Sequence, residues 1–136
     1  MLVFHLAARS SLPAYLQIQE QVRQALLTGV LRPGDQLPTV KEVVGSLAIN
    51  PNTVLKAYRE LERDGLVEGR QGVGTFATRR PDGPPPGEQA ALRRGLERWV
   101  TKARGAGLAD SDMESLLRAT LRAAATSSAD NGEEVA

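Results

Sequence analysis

Asn50-Pro51-Asn52-Thr53-Val54-Leu55-Lys56-Ala57-Tyr58-Arg59-Glu60-Leu61-Glu62-Arg63-Asp64-Gly65 is the stretch that decides the fold. Asn50 is an N-cap residue, whose side-chain oxygen can satisfy an orphan backbone N–H at a helix start. Pro51 follows at the first helical position, where its missing N–H is no loss and its fixed φ suits the helix. Gly65 closes the other end. In between, Val54, Ala57, Tyr58 and Leu61 recur at three- and four-residue spacing and make one apolar face. Asn52, Thr53, Leu55, Lys56, Arg59 and Arg63 fall mostly toward solvent. The segment reads as an amphipathic helix with a polar N-terminal end.

The flanks put this helix into a larger pattern. Before it, Thr39 and Glu42 make a capping box for a short helix carrying Val40, Val43, Val44 and Leu47. Gly45 inside that helix weakens it by about 1 kcal/mol relative to alanine. Residues 46–49 turn the chain. Further upstream, residues 13–28 show helical periodicity through Tyr15, Ile18, Val22 and Leu26, with Pro13 in the first turn and Gly29 past the end. Residues 31–35 form a Pro-Gly turn. Downstream, residues 66–77 read as two short strands around a loop with Gly69, Gly72 and Gly74, a hairpin signature. Helix, short helix, turn, longer helix and hairpin is the order of a winged helix-turn-helix. The expected class is mainly α.

After Arg80 the composition changes. Pro81, Pro84, Pro85 and Pro86 with Gly83 and Gly87 cannot continue a helix or strand. Residues 81–87 therefore read as a semi-rigid extended linker. They separate a domain at residues 1–80 from a helical region at 88–126. There Leu92, Leu96, Trp99 and Val100 share one stripe, and Met113, Leu116, Leu117 and Leu121 share another. Asp110 or Ser111 is the expected cap of the second of these helices, with Ser111 and Glu114 as a further capping box. Two helices alone cannot enclose such stripes, which need either the N-terminal domain or a second copy of the chain; dimerisation is the expected use of both. Residues 127–136 are small, polar and acidic, and are expected to be a disordered tail.

Composition narrows the function. The chain has 136 residues, 41% apolar and 24% charged, ordinary values for a domain with a core. It has no cysteine, which excludes disulfides and thiolate sites, and one histidine, which leaves little for acid-base catalysis. No stretch has the roughly 18 apolar residues of a membrane span, and no secretory signal is visible, so a cytoplasmic protein is expected. Net charge is only +1, but its distribution is uneven. Residues 1–80 hold ten Lys/Arg against seven Asp/Glu, and the rest hold seven against nine. The basic bias of the first part points toward an anion.

In a helix-turn-helix the second helix enters the major groove, and its N-terminal side chains reach base edges. Those side chains are Asn50, Asn52, Thr53, Leu55 and Lys56. Asn52 suits adenine, Thr53 a base or phosphate, and Lys56 guanine or phosphate. Taken singly, Asn50 is better read as a cap, and Lys56 can also be read as a solvated face. Order, spacing and wing together favour double-stranded DNA. At the hairpin, Arg70 and Gln71 can meet the minor groove or phosphate, and Gly72 allows close approach of backbone. The three glycines lack the Lys-Ser/Thr and the helix of a nucleotide loop. His5 reads as a surface or packing residue and Trp99 as core or interface. Asp110, Asp112 and Glu114 are explained by capping and the helix dipole rather than by a metal. No nucleophile-base-acid set presents itself, and no enzyme, cofactor or metal is expected.

These residues resemble the GntR family of bacterial transcription regulators. The resemblance rests on Pro13-Ala14-Tyr15-Leu16-Gln17-Ile18, on residues 29–38 around Pro33-Gly34-Asp35, on the Asn50–Val67 segment, and on Gly72-x-Gly74-Thr75-Phe76. It covers about residues 4–78, and the Asn-Pro-Asn-Thr-Val segment with a short helical C-terminus is similar to the YtrA-like branch. It implies C-terminal helices that serve dimerisation, a transporter operon as target, and no pyridoxal phosphate domain. The expected function is a homodimeric repressor, whose two-fold symmetry makes an inverted-repeat operator the expected site. The resemblance also implies that Lys41 lies at the DNA, and Thr39 beside it is a further candidate contact. Lys41 stands where the family usually has arginine; it keeps the charge and loses the planar fork. The operator, the effector and the regulated genes are not readable from the sequence. Two other readings stay open: a winged-helix module for protein or RNA contact, and a small-molecule sensor with its ligand between the two parts.

Overall fold

A computed structural model describes residues 2–8 and 10–135, with side chains described through Ser127. Among the described residues five helices and one hairpin follow in order: α1 (Ala14–Thr28), α2 (Val40–Leu47), α3 (Pro51–Arg63), β1 (Val67–Arg70), β2 (Gly74–Ala77), α4 (Pro86–Gly105) and α5 (Asp110–Val135). The chain divides into two compact units, Met1–Ala90 and Ala91–Ala136. No helix among the described residues is long and apolar enough to cross a membrane.

The first unit is a winged helix-turn-helix. Ile18, Val22 and Leu26 of α1, Val43 of α2, and Val54, Ala57, Tyr58 and Leu61 of α3 close on one core. Phe4, Leu31, Leu37, Leu66, Val67 and Ala77 complete it. β1 and β2 pair antiparallel, with Val67 opposite Ala77 and Arg70 opposite Gly74. A third segment joins them. Leu37 N–H donates to Thr75 O, Ala77 N–H to Asp35 O and Gly34 N–H to Ala77 O, at 2.7–2.8 Å. Residues 34–37, of which only 34 and 35 fall in the turn read from sequence, thus brace the hairpin against the core.

The helix boundaries follow local chemistry. Asn50 Oδ1 accepts from Asn52 N–H at 2.8 Å, and Pro51 opens α3. At the far end Leu66 N–H bonds Leu61 O and Gly65 N–H bonds Glu62 O, with Gly65 at φ +77. This is a Schellman closure, and it buries Leu66 against Leu61. Thr39 Oγ1 accepts from Glu42 N–H at 3.1 Å, but the Glu42 carboxylate meets the Thr39 hydroxyl rather than its backbone N–H. One half of the expected capping box forms. Pro13 stands just before α1 rather than in its first turn, and its carbonyl accepts from Leu16 and Gln17.

The linker departs from the extended spacer expected. Arg80 donates to Leu27 O at 2.8 Å, at the C-terminal end of α1, and also to Pro84 O. One guanidinium gathers the helix end and the proline run, so residues 81–85 lie folded onto α1. α4 then begins at Pro86, two residues before the expected start.

In the second unit α4 ends in another Schellman motif. Leu108 N–H bonds Ala103 O, Gly107 N–H bonds Arg104 O, and Gly107 is at φ +102. The cap of α5 is displaced from the expected Asp110 or Ser111. Asp112 reaches back to Ala109 N–H at 3.0 Å, while Asp110 pairs with Arg104 at 3.0 Å. α5 runs to Val135, where the sequence expects a tail. Alanine-rich residues 119–125 favour this continuation, and no proline interrupts it.

Candidate nucleic-acid interface

The polar face of α3 is built by periodicity. Asn52, Lys56, Arg59 and Arg63 stand four, three and four residues apart, which places them on one side, opposite Val54, Ala57 and Leu61. All four are exposed, and Thr53 beside them is half-buried. Arg59 extends the polar face that begins at Asn52. Sequence reading placed Arg59 toward solvent without assigning it a role; its spacing from Lys56 was the available signal. Lys41 is exposed on α2. Thr39 and Asn50 are both committed to caps through one side-chain oxygen.

The start of α2 is held from α3. The Tyr58 hydroxyl, buried in the core, donates to Pro38 O at 2.6 Å. Burial, then the nearby Glu42 carboxylate, pushes the phenol well above its ordinary range, so it stays a donor. Thr39 and the helix it caps therefore sit at a fixed place relative to the face that carries Asn52 and Lys56.

α1 and α3 meet in a ladder. Lys56 Nζ lies 4.0 Å from the Tyr15 ring centroid. Gln19 Nε2 donates to Glu60 at 2.9 Å, and Arg23 pairs with Asp64. Tyr15, Gln19 and Arg23 are one turn apart on α1, as are Lys56 and Glu60 of α3 and Asp64 at its C-cap. The first rung is the one nearest the N-terminal end of α3, and its Lys56 is exposed.

At the wing, Arg70 closes the hairpin opposite Gly74. Its guanidinium carbon lies 4.4 Å from the Phe76 ring centroid, and its Nε lies 3.8 Å from Glu68. The stack orients a planar donor at the base of the loop. Gln71, Gly72 and Val73 form the exposed tip, with Gly72 at φ +75 and open space where a Cβ would lie. Gln36 Nε2 donates to Val73 O at 3.2 Å and ties the tip back to the bracing segment. The sequence left Gln36 without a role, because the fold alone brings it there.

The remaining candidates are placed as follows. His5 is exposed; its backbone N–H donates to Gln21 Oε1 at 2.9 Å, and Gln21 returns the bond to His5 O. Asp110 and Asp112 are engaged at the start of α5. In the second unit Met113 is buried and Trp99 and Val100 are half-buried. Leu92, Leu96, Leu116, Leu117 and Leu121 are 44–66% exposed, so both stripes are open in the single chain.

A recognition-type helix with a polar N-terminal face, a preceding capped helix and a braced wing define a helix-turn-helix module of the winged class. Comparison with known proteins gives the family. The model for bacterial regulatory proteins of the gntR family matches residues 14–77. The chain is 39% identical over 101 residues to the HTH-type transcriptional repressor YtrA of Bacillus subtilis, covering 74% of this chain and 78% of that one. It is 38% identical over 105 residues to the transcriptional regulator YhcF of the same organism, covering 77% and 87%. Among solved structures it is similar to a YtrA of Sulfolobus acidocaldarius, a GntR-family transcription factor, with TM-score 0.53, 27% identity, and 74% and 99% of the chains covered. It is also similar to the AraR DNA-binding domain solved in complex with operator ORX1, with TM-score 0.50, 29% identity, and 57% and 96% covered. The chain belongs to the gntR family of bacterial regulatory proteins. Its relatives are transcription regulators, not enzymes.

Proposed function

We propose that the chain is a homodimeric, sequence-specific repressor that binds an inverted-repeat operator in double-stranded DNA. The observation that carries this reading is the exposed set Asn52, Lys56 and Arg59 on one side of α3, beside a wing whose Arg70 is stacked in place. A helix about 10–12 Å across with its side chains fills the major groove, and its outer face then meets base edges and phosphates. Asn52 and Thr53 serve as the base readers. Lys41, Arg59 and Arg70 contact the sugar–phosphate backbone, with Gln71 and Gly72 at the minor groove. Thr39 and Asn50 hold the two helix starts at which phosphate is favoured. Repressors among the relatives support the direction of control, and an operator complex of the AraR domain supports DNA as the partner.

The open stripes of α4 and α5 supply the dimer. Each large side chain buried is worth about 1.5–3 kcal/mol, so several shared between two chains hold a pair together. Such a protein works in the cytoplasm, where its DNA is, and its target in the resembled branch is a transporter operon. An apolar cleft at Leu2, Phe4, Pro38 and Leu47 measures about 120 Å³, below the roughly 300–1,000 Å³ of small-molecule pockets. The test is a gel shift on the DNA upstream of the chain's own gene with wild type and the Asn52→Ala/Thr53→Ala variant. Wild type should bind, and the variant should lose about 1–3 kcal/mol and relax its sequence preference. Equal binding by a folded variant would remove α3 from the reading role.

A further inference from the structure

The ladder between α1 and α3 assigns Lys56 a direction. We propose that Tyr15 is a positioning residue for DNA contact: its ring holds the Lys56 ammonium at the α1 edge of the recognition face, so that Lys56 grips a backbone phosphate and does not read a base. The proposal rests on the DNA-binding reading above and deepens it.

A lysine on an exposed helix face ordinarily sweeps a wide arc, because its four-carbon stem has many rotamers. Here the ammonium is 4.0 Å from the centroid of the Tyr15 ring, within the range of a cation–π contact. Tyr15 is itself half-buried and packed against the core, so the ring is a fixed platform rather than a second mobile group. The next two rungs, Gln19 with Glu60 and Arg23 with Asp64, show which flank of α3 lies toward α1. Lys56 leans toward that flank, away from the centre line that runs through Asn52.

When a helix lies in the major groove, side chains on its centre line face the base edges and those on its flanks face the phosphate walls. A cation drawn to the flank is placed for a wall. The ring covers one side of the ammonium and leaves other N–H donors open to an oxygen. Holding the side chain in the free protein also reduces the ordering cost at binding. The Phe76 ring does the same for Arg70 at the wing, so each of the two contact elements carries one aromatic-held cation.

Four forms of the full chain test this: wild type, Tyr15→Phe, Tyr15→Leu and Lys56→Met, with the Tyr15→Leu/Lys56→Met double variant closing the cycle. In the free protein, ring-current shifts on the Lys56 ε-methylene protons should persist in Tyr15→Phe and vanish in Tyr15→Leu. On operator DNA, Lys56→Met should lower affinity equally for all sequences and reduce the salt slope by about 0.9, the value for one phosphate. Tyr15→Leu should weaken binding about two- to fivefold, the scale of one exposed cation–π contact, while Tyr15→Phe binds as wild type. The double variant should be no weaker than Lys56→Met. A changed preference at one base pair in Lys56→Met, or additive losses in the double variant, overturns the proposal. Absence of any wild-type binding to DNA instead overturns the functional reading, and the ring-current shift, read without DNA, tells the two failures apart.

Discussion

Single residues set how the site responds to substitution and to pH. Gly72 sits at φ +75 with open space around it, so a side chain there meets backbone strain rather than a neighbour. Gly72→Val should therefore cost stability about 1–2 kcal/mol. DNA affinity should fall further, because a branched side chain also blocks the close approach of the wing tip; normal affinity would mean the wing stays off the DNA. Tyr58 is the second case. The folded protein holds a phenolic proton that the unfolded chain releases from its ordinary value of 10.0. Stability from this group is full below that pH and declines above it, by about 1.4 kcal/mol per pH unit. Tyr58→Phe should remove this alkaline decline and, by orphaning the buried Pro38 carbonyl, lower stability at neutral pH by about 1–2 kcal/mol. Denaturant melts from pH 7 to 11 read both effects, and parallel pH profiles would contradict the assignment.

At the level of elements, the α3 segment was legible because its instructions are local. Asn50, Pro51 and Gly65 each act on the backbone beside them, and Val54, Ala57, Tyr58 and Leu61 repeat with the helix. The bracing segment at Gln36, the Arg80 anchor and the Tyr15–Lys56 rung were not legible. Their partners lie 37 to 53 residues away, and two of the three bind backbone carbonyls that carry no sequence signature. A spacing of four between Tyr15, Gln19 and Arg23, matched by Lys56, Glu60 and Asp64, is a signal visible only once the two helices are known to be neighbours. The proline run misled for a related reason: its composition excludes regular structure but does not exclude being gathered by an arginine. Gly45 is the one place where an element runs below its potential. A Cβ there would meet nothing within 4 Å. Gly45→Ala should stabilise the first unit by about 1 kcal/mol, read as a higher melting temperature. An unchanged or lower value would show that α2 is limited by something other than its helix propensity.

At the scale of the whole molecule, the proposed assembly combines a DNA-reading first unit with a self-pairing second unit. The first unit has a complete core of its own, whereas the second leaves five leucines 44–66% exposed. A truncation ending at Ala90 keeps the carbonyls that Arg80 binds. It should fold as a monomer and bind a full operator about 10²-fold or more weakly, because the second half-site no longer adds effective concentration. Sedimentation of both forms checks this; a full chain that is monomeric at tens of micromolar would contradict the role given to α4 and α5. The central claim, that two α3 helices related by a two-fold axis read one DNA site, meets its most direct test in selection from a random double-stranded oligonucleotide pool. The full chain should enrich two copies of one half-site in inverted orientation at a single spacing. A pool that stays unenriched, or that yields one asymmetric site, would contradict it.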